Sequence, residues 1–463
     1  MIINIIKYLI EKLKSYMSVD CSNKPFYHFA SLHRHLTPFL SAASLRRRVT
    51  LFPFVASLRR RVTPFSFATS LHHCAIPVFF IVSLLSFSPA QSQKPHKFTL
   101  SGYISYMNTN MFDSISNIWV IDNQLHNRLN FDYFPTGNLS FSAQLRTRFI
   151  YGNSVLLFPD YSKMIKSDNG YLKMNRNVLS EKNFLLNTTL DRLYVKYSFK
   201  NVDFKLGRQR INWGRTLVWN PNDIFNTYSY FDFDYVEKPG SDAVRVQYYT
   251  GAASSVEIAS SINYEKRMTL AGKWLINKWN YDFQFILGEM EQRDYVAGLG
   301  WAGAIKNLGF RGEATYFNPI DNSDTTREAS LSATVSLDYL FSNSLSITAQ
   351  VLYTKITKDN PISNFATFYT SNLNARYLSF TPWNIFGSIQ YPVTPLFNVT
   401  FAGMYYPKIN GYFLNPGLDY SLSDNLEFSF IYQFFKGKFP NAMTGLNEKQ
   451  QINFAFLRFK LNF

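Results

Sequence analysis

The last fourteen residues, QQINFAFLRFKLNF, put Phe463, Leu461, Phe459 and Leu457 on one side of an extended chain and Asn462, Lys460 and Arg458 on the other. Side chains alternate across a strand, so a strand with one apolar and one charged face suits a sheet with lipid on one side and water on the other. The same alternation recurs from Phe98 onward in segments of roughly ten residues, the length that crosses a bilayer as a tilted strand. In LSFSAQLRTRF, Phe141, Leu145 and Phe149 oppose Gln144, Arg146 and Arg148. In ASLSATVSLDYL, Leu331, Val335 and Leu337 oppose Ser332, Thr334 and Ser336. A soluble sandwich alternates in the same way, so alternation alone does not choose between them.

Connection lengths do. Tight turns are expected at 135–138, 200–203, 250–255, 277–280, 306–309, 341–344, 392–395 and 421–424, and the segments between them are joined by long connections, clearest at 154–188, 216–241, 318–328, 356–379 and 436–449. Short and long alternate, as periplasmic turns and extracellular loops do in an outer-membrane barrel. The fold class is therefore all-β, a transmembrane antiparallel up-and-down barrel of about 18 strands. The count falls to 16 if the weakly alternating regions around Gly298 and Pro416 are not strands. Aromatics near the proposed strand ends, among them Tyr133, Phe134, Trp274, Trp279, Trp383, Tyr405 and Tyr406, suit membrane-interface girdles. The terminal segment resembles the C-terminal signature of bacterial outer-membrane barrels. That resemblance implies recognition of Phe463 by the barrel-assembly machinery.

Composition agrees with strands over helices. With 46% hydrophobic residues and a mean hydropathy of −0.14, the chain is too polar for a bundle of membrane helices. Its one long apolar run, Ile76 to Phe87, is short of a spanning helix and precedes SPAQSQ, with Ala90 at a cleavage point. Residues 71–90 read as a signal peptide and 91–463 as the barrel. Residues 1–70 hold a 13-residue repeat starting at Ser31, Ser44, Ser57 and Ser70, which reads as an extension outside the mature protein. The alternative is a basic arm using Arg46 to Arg48 and Arg59 to Arg61 on nucleic acid or anionic lipid; the export signal behind it argues against that, and no nucleic acid is expected. Residues 1–90 carry 11 of the 47 Lys and Arg and 2 of the 31 Asp and Glu, leaving 36 basic against 29 acidic residues, a net +7. Both cysteines, Cys21 and Cys74, lie in the same stretch, which removes disulfide and thiolate chemistry from the barrel. No metal or cofactor is expected.

A barrel of this strand number encloses an aqueous lumen, which makes transport the leading reading. Polar faces turned inward give Arg128, Arg146, Arg148, Arg192, Lys196, Lys205, Arg245 and Lys273 against Asp132, Asp203 and Glu257 in the first half. Later strands give Arg311, Arg458 and Lys460 against Glu313, Asp338, Asp419 and Glu427. Closure sets the last strand beside the first, so a basic arc should line part of the wall and attract anions. Charge that merely solvates a wide wall would do neither, because a wide pore screens it.

The stretch LGRQRINWGRTLVWNPNDIFN, 206–226, resembles the GRQ…WG…NP.D pattern of porin-like barrels loosely related to the alginate-export type, through Gly207, Arg208, Gln209, Trp213, Gly214, Asn220, Pro221 and Asp223. The resemblance implies a transport barrel and names no substrate. Strict alternation from Phe204 would turn Arg208 and Arg210 toward lipid, at a cost of about 2–4 kcal/mol for a charge near the midplane. A bulge near Gly207, or arginines above the bilayer, is therefore expected, with both guanidinium groups turned to the lumen or paired to Asp223, Asp232 or Asp234. The following NTYSYFDFDYVEKPG offers Tyr228 and Tyr230 with Asp223, Asp232 and Asp234 as a constriction with stacking faces for sugar rings if it folds inward. Its Phe-Asp-Phe-Asp alternation is strand-like and favours an outward hairpin.

The sequence thus points to an outer-membrane porin or channel for small hydrophilic solutes with an anion preference, seated among lipid and lipopolysaccharide as a monomer or homo-oligomer. A surface barrel that binds polysaccharide or protein through its long loops is the alternative. A barrel-wall hydrolase would need His126, the one histidine from Phe98 onward, beside a hydroxyl such as Ser105 or Ser142, and a lone inward histidine is more often a wall residue.

Overall fold

The structure is a computed structural model and describes residues 97–113, 118–158, 160–228, 230–231, 234, 237–321, 323–360, 373–440 and 447–463. The repeats, the signal segment and Asp232 lie outside the described residues. In chain order the strands are β1 (Phe98–Asp113), β2 (Ile118–Thr136), β3 (Leu139–Gly152), β4 (Asn175–Ser180), β5 (Phe184–Phe199), β6 (Val202–Gln209) and β7 (Ser241–Gly251). There follow β8 (Ser254–Ile262), β9 (Met268–Lys278), β10 (Tyr281–Met290), β11 (Asp294–Ile305), β12 (Leu308–Pro319) and β13 (Ser330–Leu340). The last are β14 (Ser346–Thr354), β15 (Trp383–Thr394), β16 (Phe397–Tyr406), β17 (Gly411–Ser423), β18 (Leu426–Pro440) and β19 (Asn447–Asn462). Two one-turn helices, α1 (Asn153–Leu157) and α2 (Tyr161–Ile165), precede β4.

Each wall strand pairs antiparallel with its neighbours in sequence, and β19 closes on β1 from Tyr103↔Asn462 to Phe112↔Asn453. With β4 set aside the wall has 18 strands; Gly298 lies in β11 and Pro416 in β17, so the larger of the two expected counts holds. Closure pairs the backbone of the wall strands all round except above the end of the short β6, close to the condition for strands in lipid. The expected tight turns fall where β2–β3, β5–β6, β7–β8 and each later pair meet at one rim. Phe463 exchanges backbone hydrogen bonds with Gly102 at that rim.

Alternation decides what faces outward. On β13, Leu331, Val335 and Leu337 are exposed while Ser332, Thr334 and Ser336 are buried, an apolar outside around a polar inside. Tyr133, Phe134, Trp274, Trp279, Trp383 and Tyr405 are exposed near the two rims as girdle residues would be. Tyr406 departs from that expectation: it is fully buried inside, its hydroxyl on the Met404 sulfur. No helix among the described residues is long and apolar enough to cross a membrane. The chain is an outer-membrane β-barrel.

One part of the wall is built differently. β6 has eight residues and ends at Gln209, opposite Ser241, whereas its neighbour β5 has sixteen. Above β6 the vacant side of β5 is taken by β4, from Asn175↔Thr189 to Ser180↔Leu185. Residues 166–180 thus form a panel completing the wall, drawn from the long β3–β5 connection, where the sequence reading places only a loop.

Candidate functional site

The chain leaves the wall because of two local departures from strand geometry. Gly207 has φ +116°, a region that favours glycine, and a Cβ there would collide with the Leu193 carbonyl oxygen. Leu206 faces out, yet Arg208 and Gln209 are both buried inside, so the expected turning of Arg208 from lipid occurs at Gly207 without a slip in the β5–β6 register. Across the seam, Gln144 pairs with Arg192 and Leu145 with Leu190, so Asp191 is the extra residue of a β-bulge and is buried inside beside Arg192. Asp191 is a site residue that sequence reasoning missed; the signal was the adjacent charged pair Asp191-Arg192 within a strand.

The described residues between 210 and 240 then run inward, overturning the outward hairpin that the Phe-Asp alternation favoured. The physical reason is a row of inward acceptors and donors on the wall that satisfies the loop backbone. The Trp213 indole donates to Glu257 Oε1 on β8 (2.6 Å), and the Trp213 carbonyl accepts from Gln284 on β10 (2.7 Å). Glu313 on β12 accepts the N–H groups of Arg215, Thr216 and Asn222 and the Thr216 hydroxyl. Gln350 on β14 accepts from the Val218 N–H (2.9 Å) and donates to the Trp219 carbonyl (3.0 Å). Buried groups paired this fully cost much if one partner is removed. Val218, Trp219 and Phe231 then enter a buried cluster with Phe386, Met404, Phe413 and Phe435, joined by Leu378 and Phe380 of the β14–β15 connection. Finally Gln124 on β2 donates to Asp234 (2.9 Å), Glu237 meets Arg128 (3.4 Å), and Arg192 donates to the Glu237 and Lys238 carbonyls. The loop therefore touches nearly the whole inner circumference, from β8 round to β2 and β5.

The cations expected to form a basic arc sit on β19, β2, β3, β5–β7 and β9, with none on β1 or β8, and most of them have partners. Arg128 is buried and bonds Asp191 (2.7 Å) and Gln144 (2.6 Å); Arg146 also meets Asp191 (3.4 Å). Lys196 pairs with Asp203 (2.9 Å), Arg245 and Lys273 share Glu257 (2.7 and 2.9 Å), and Arg458 meets Glu427 (3.3 Å). Arg148 donates to Asn187 (3.0 Å) and Lys460 lies over the Tyr103 ring (4.5 Å). Arg208 was expected to turn to the lumen or to pair with loop carboxylates; it lines the chamber described below, and its partners are Asp242, through Nε (2.7 Å) and Nη2 (2.9 Å), and Asp168 (2.9 Å) of the panel, not loop aspartates. Gly170 must be glycine beside it, since a Cβ would collide with Arg208 Nη2. Arg210 does approach Asp223, at 4.0 Å, as expected. Asp223 is buried, accepts the Trp213 N–H, and has its carboxyl pushed up to about 7 by burial against the pull of Arg210.

Of the aromatic constriction, Tyr228 is flanked by cations, with Arg210 5.2 Å and Lys238 4.4 Å from its ring. Tyr230 packs on Phe386 in the apolar cluster instead of presenting a stacking face to the lumen. Asp234 does not pair with Arg208 or Arg210; its Oδ2 sits 3.4 Å from His126 Nδ1. Ser105 is opposite His126 in the register, and neither ring nitrogen makes an aligned hydrogen bond. No cluster of three metal-ligating side chains occurs among the described residues.

Between the inward loop, the panel and the β1–β3 wall lies a chamber of about 880 Å³, lined among others by Arg146, Arg148, Asp191, Tyr228, Asp234 and Lys238. A smaller space of about 200 Å³ nearer the tight-turn rim is lined by Lys196, Asp203, Lys205, Arg245, Gln247 and Tyr249.

No family model matches the sequence, and no curated protein matches it. Among solved structures the chain is similar to Acinetobacter baumannii OccAB4 (TM-score 0.49, 10% identity, covering 80% of this chain and 100% of that one). It is similar also to Pseudomonas aeruginosa OccK11 (OpdR) (TM-score 0.47, 12% identity, 79% and 96%). A third is Pseudomonas aeruginosa OccK2 (OpdF) (TM-score 0.49, 9% identity, 78% and 98%).

Proposed function

We propose that the chain is a diffusive outer-membrane channel for small hydrophilic solutes with a preference for anions. The observation that carries this reading is the inward loop, which narrows an 18-strand lumen to a chamber bordered by the arginines of the basic arc. A wide wall charge is screened by salt, whereas the same guanidinium groups in a narrowed, partly dry passage act on every solute that passes. The polar side chains of Arg146, Arg148, Lys238 and Asp234 would orient the solute. The GRQ…WG…NP.D stretch supports a kinship to the alginate-export type of barrel through the residues that launch and pin the loop.

The same reading includes residence among lipopolysaccharide, assembly through the exposed Phe463 ring, and removal of residues 1–90 on export. Single-channel recording in a planar bilayer under a salt gradient tests it. Stable open steps with a reversal potential on the anion side are expected. Cation preference would remove the role given to the basic arc. Absence of steps together with glycan binding would point to a surface-binding barrel, and loss of an ester hydrolysis on His126→Ala would point to an enzyme.

A further inference from the structure

The seam between β5 and β7–β8 above the end of β6 lacks the continuous backbone ladder of the other seams. On its β8 side the panel is held by one bridge, Gly170↔Asn263, and by the Tyr264 N–H on the Asn169 carbonyl (3.1 Å). The remaining ties are side-chain bonds: Leu172 N–H to Asp242 (2.8 Å), and Arg208 to Asp168 and to the Leu172 carbonyl. Leu193, opposite Arg208 at the end of β6, is six residues above the Phe199 rim, and Thr189, where β4 begins, is ten above it. At about 2.5 Å of height per residue in a tilted strand, the stretch without a ladder lies roughly 15–25 Å above that rim, about 10 Å long and bridged on the β5 side by the Leu190 N–H on the Met174 carbonyl (2.9 Å), in the upper part of a ~25 Å apolar band. Irregular backbone facing lipid is ordinarily not tolerated there. Tyr171, Leu172 and Val178 are exposed on this panel, with Lys173 and Arg176 beside them. Directly behind it is the chamber, which Ser167, Asp168, Asn169 and Asn175 of the panel line.

We propose that the panel is a side door through which a single-chain amphiphile with an anionic head passes between the chamber and the outer leaflet. Opening needs the panel's bonds to Arg208 through Asp168 and the Leu172 carbonyl, the Leu172–Asp242 bond, the Gly170↔Asn263 bridge and the Tyr264–Asn169 bond to part together, while the Arg208–Asp242 pair stays within the wall. The chamber has both surfaces such a molecule requires: Arg146 and Arg148 for the head, and Met164, Ile165, Leu373 and Phe456 for the tail. Its volume of about 880 Å³ falls within the ~300–1,000 Å³ of sites that hold one small molecule. This route is separate from axial passage through the lumen, although it uses the same chamber.

The test uses the full chain with Cys21→Ser and Cys74→Ser, folded into vesicles of phosphatidylethanolamine and phosphatidylglycerol. Thr189→Cys puts one thiol in the chamber behind the panel, and Thr334→Cys provides a luminal control outside it. Each is treated with N-dodecylmaleimide, which partitions into the bilayer, or with a sulfonated maleimide confined to water. The expected result is faster N-dodecylmaleimide labelling at Thr189→Cys than at Thr334→Cys. Adding Asp168→Asn should raise that rate several-fold and leave the sulfonated reagent unchanged. Labelling by the sulfonated reagent alone would overturn the side door and leave the channel standing. Labelling by neither, an equal rise for both, or no change on loosening the clasp would also overturn it. If Asp168→Asn lacks the heat-modifiable gel shift of a folded barrel, Asp168→Glu, which keeps the charge one methylene further out, takes its place under the same criteria.

Discussion

On the β12–β18 side of the lumen the inward loop is embedded in Phe386, Met404, Phe413 and Phe435, whereas on the β19–β5 side it meets the wall through Asp234, Glu237 and Lys238 and stands off around the chamber. Burial of large side chains gives the first contact its adhesion, at ~25 cal/mol for each Å² of apolar surface removed from water. The second contact is made of bonds to charged groups whose removal strands a partner. The contrast shows why one loop can be both firmly seated and selective. The wall that holds it is not the wall that solutes meet.

Removing the seated element should give the largest effect. Replacing 211–239 by Asn-Gly joins β6 to β7 where Gln209 already pairs with Ser241, and unitary conductance is expected to rise several-fold with loss of ion preference. An unchanged conductance would show that the loop does not set the passage. Glu313→Ala should come next. It leaves three loop N–H groups without their acceptor, each at about 1–3 kcal/mol if buried and unpaired. Proteolysis between 215 and 237 should accelerate while the barrel keeps its heat-modifiable shift.

The contrast also has a pH signature. Asp223 has its pKa raised from 3.8 to about 7 in the docked loop. Both docked and undocked forms are protonated below about pH 4; between there and about 7 only the undocked loop ionises, so docking weakens as pH rises and changes no further above. The difference is at most about 4 kcal/mol. Gating noise should grow from pH 5 to 8, and Asp223→Asn should flatten that growth. On the other wall, Arg148→Glu should move the reversal potential toward cations with little change in thermal midpoint. The smallest effect is expected at Lys196→Gln, because the Lys196–Asp203 pair is partly exposed and such pairs are worth ~0–1 kcal/mol. A large change in selectivity there would locate the filter at the tight-turn rim instead of in the chamber.

The barrel was legible because strand alternation and turn spacing are local patterns. The inner face of β13 and the eight tight turns follow directly from them. The site was legible only where a local rule broke: two arginines that would have faced lipid forced a change near Gly207, and the change is there. What escaped was non-local. The partner of Arg208 is Asp242, thirty-four residues away across the β6–β7 ladder, and not the loop aspartates adjacent in sequence. The inward course of 210–240 depended on Glu257, Gln284, Glu313 and Gln350 sharing one inner surface, which becomes visible only when the wall is closed. Tyr406 looked like a girdle residue because position near a strand end does not say which side a ring takes.

A segment of wall surrendered to the interior has to be made good by a neighbour, and here the β3–β5 connection fills the space above β6. The two insertions are therefore structurally coupled and should be inherited together. A relative with a full-length sixth strand has no need of β4, and one that lost β4 while keeping the short strand would be breached. Natural chimeras of such barrels should join before Leu139 or after Gly251, and seldom in between.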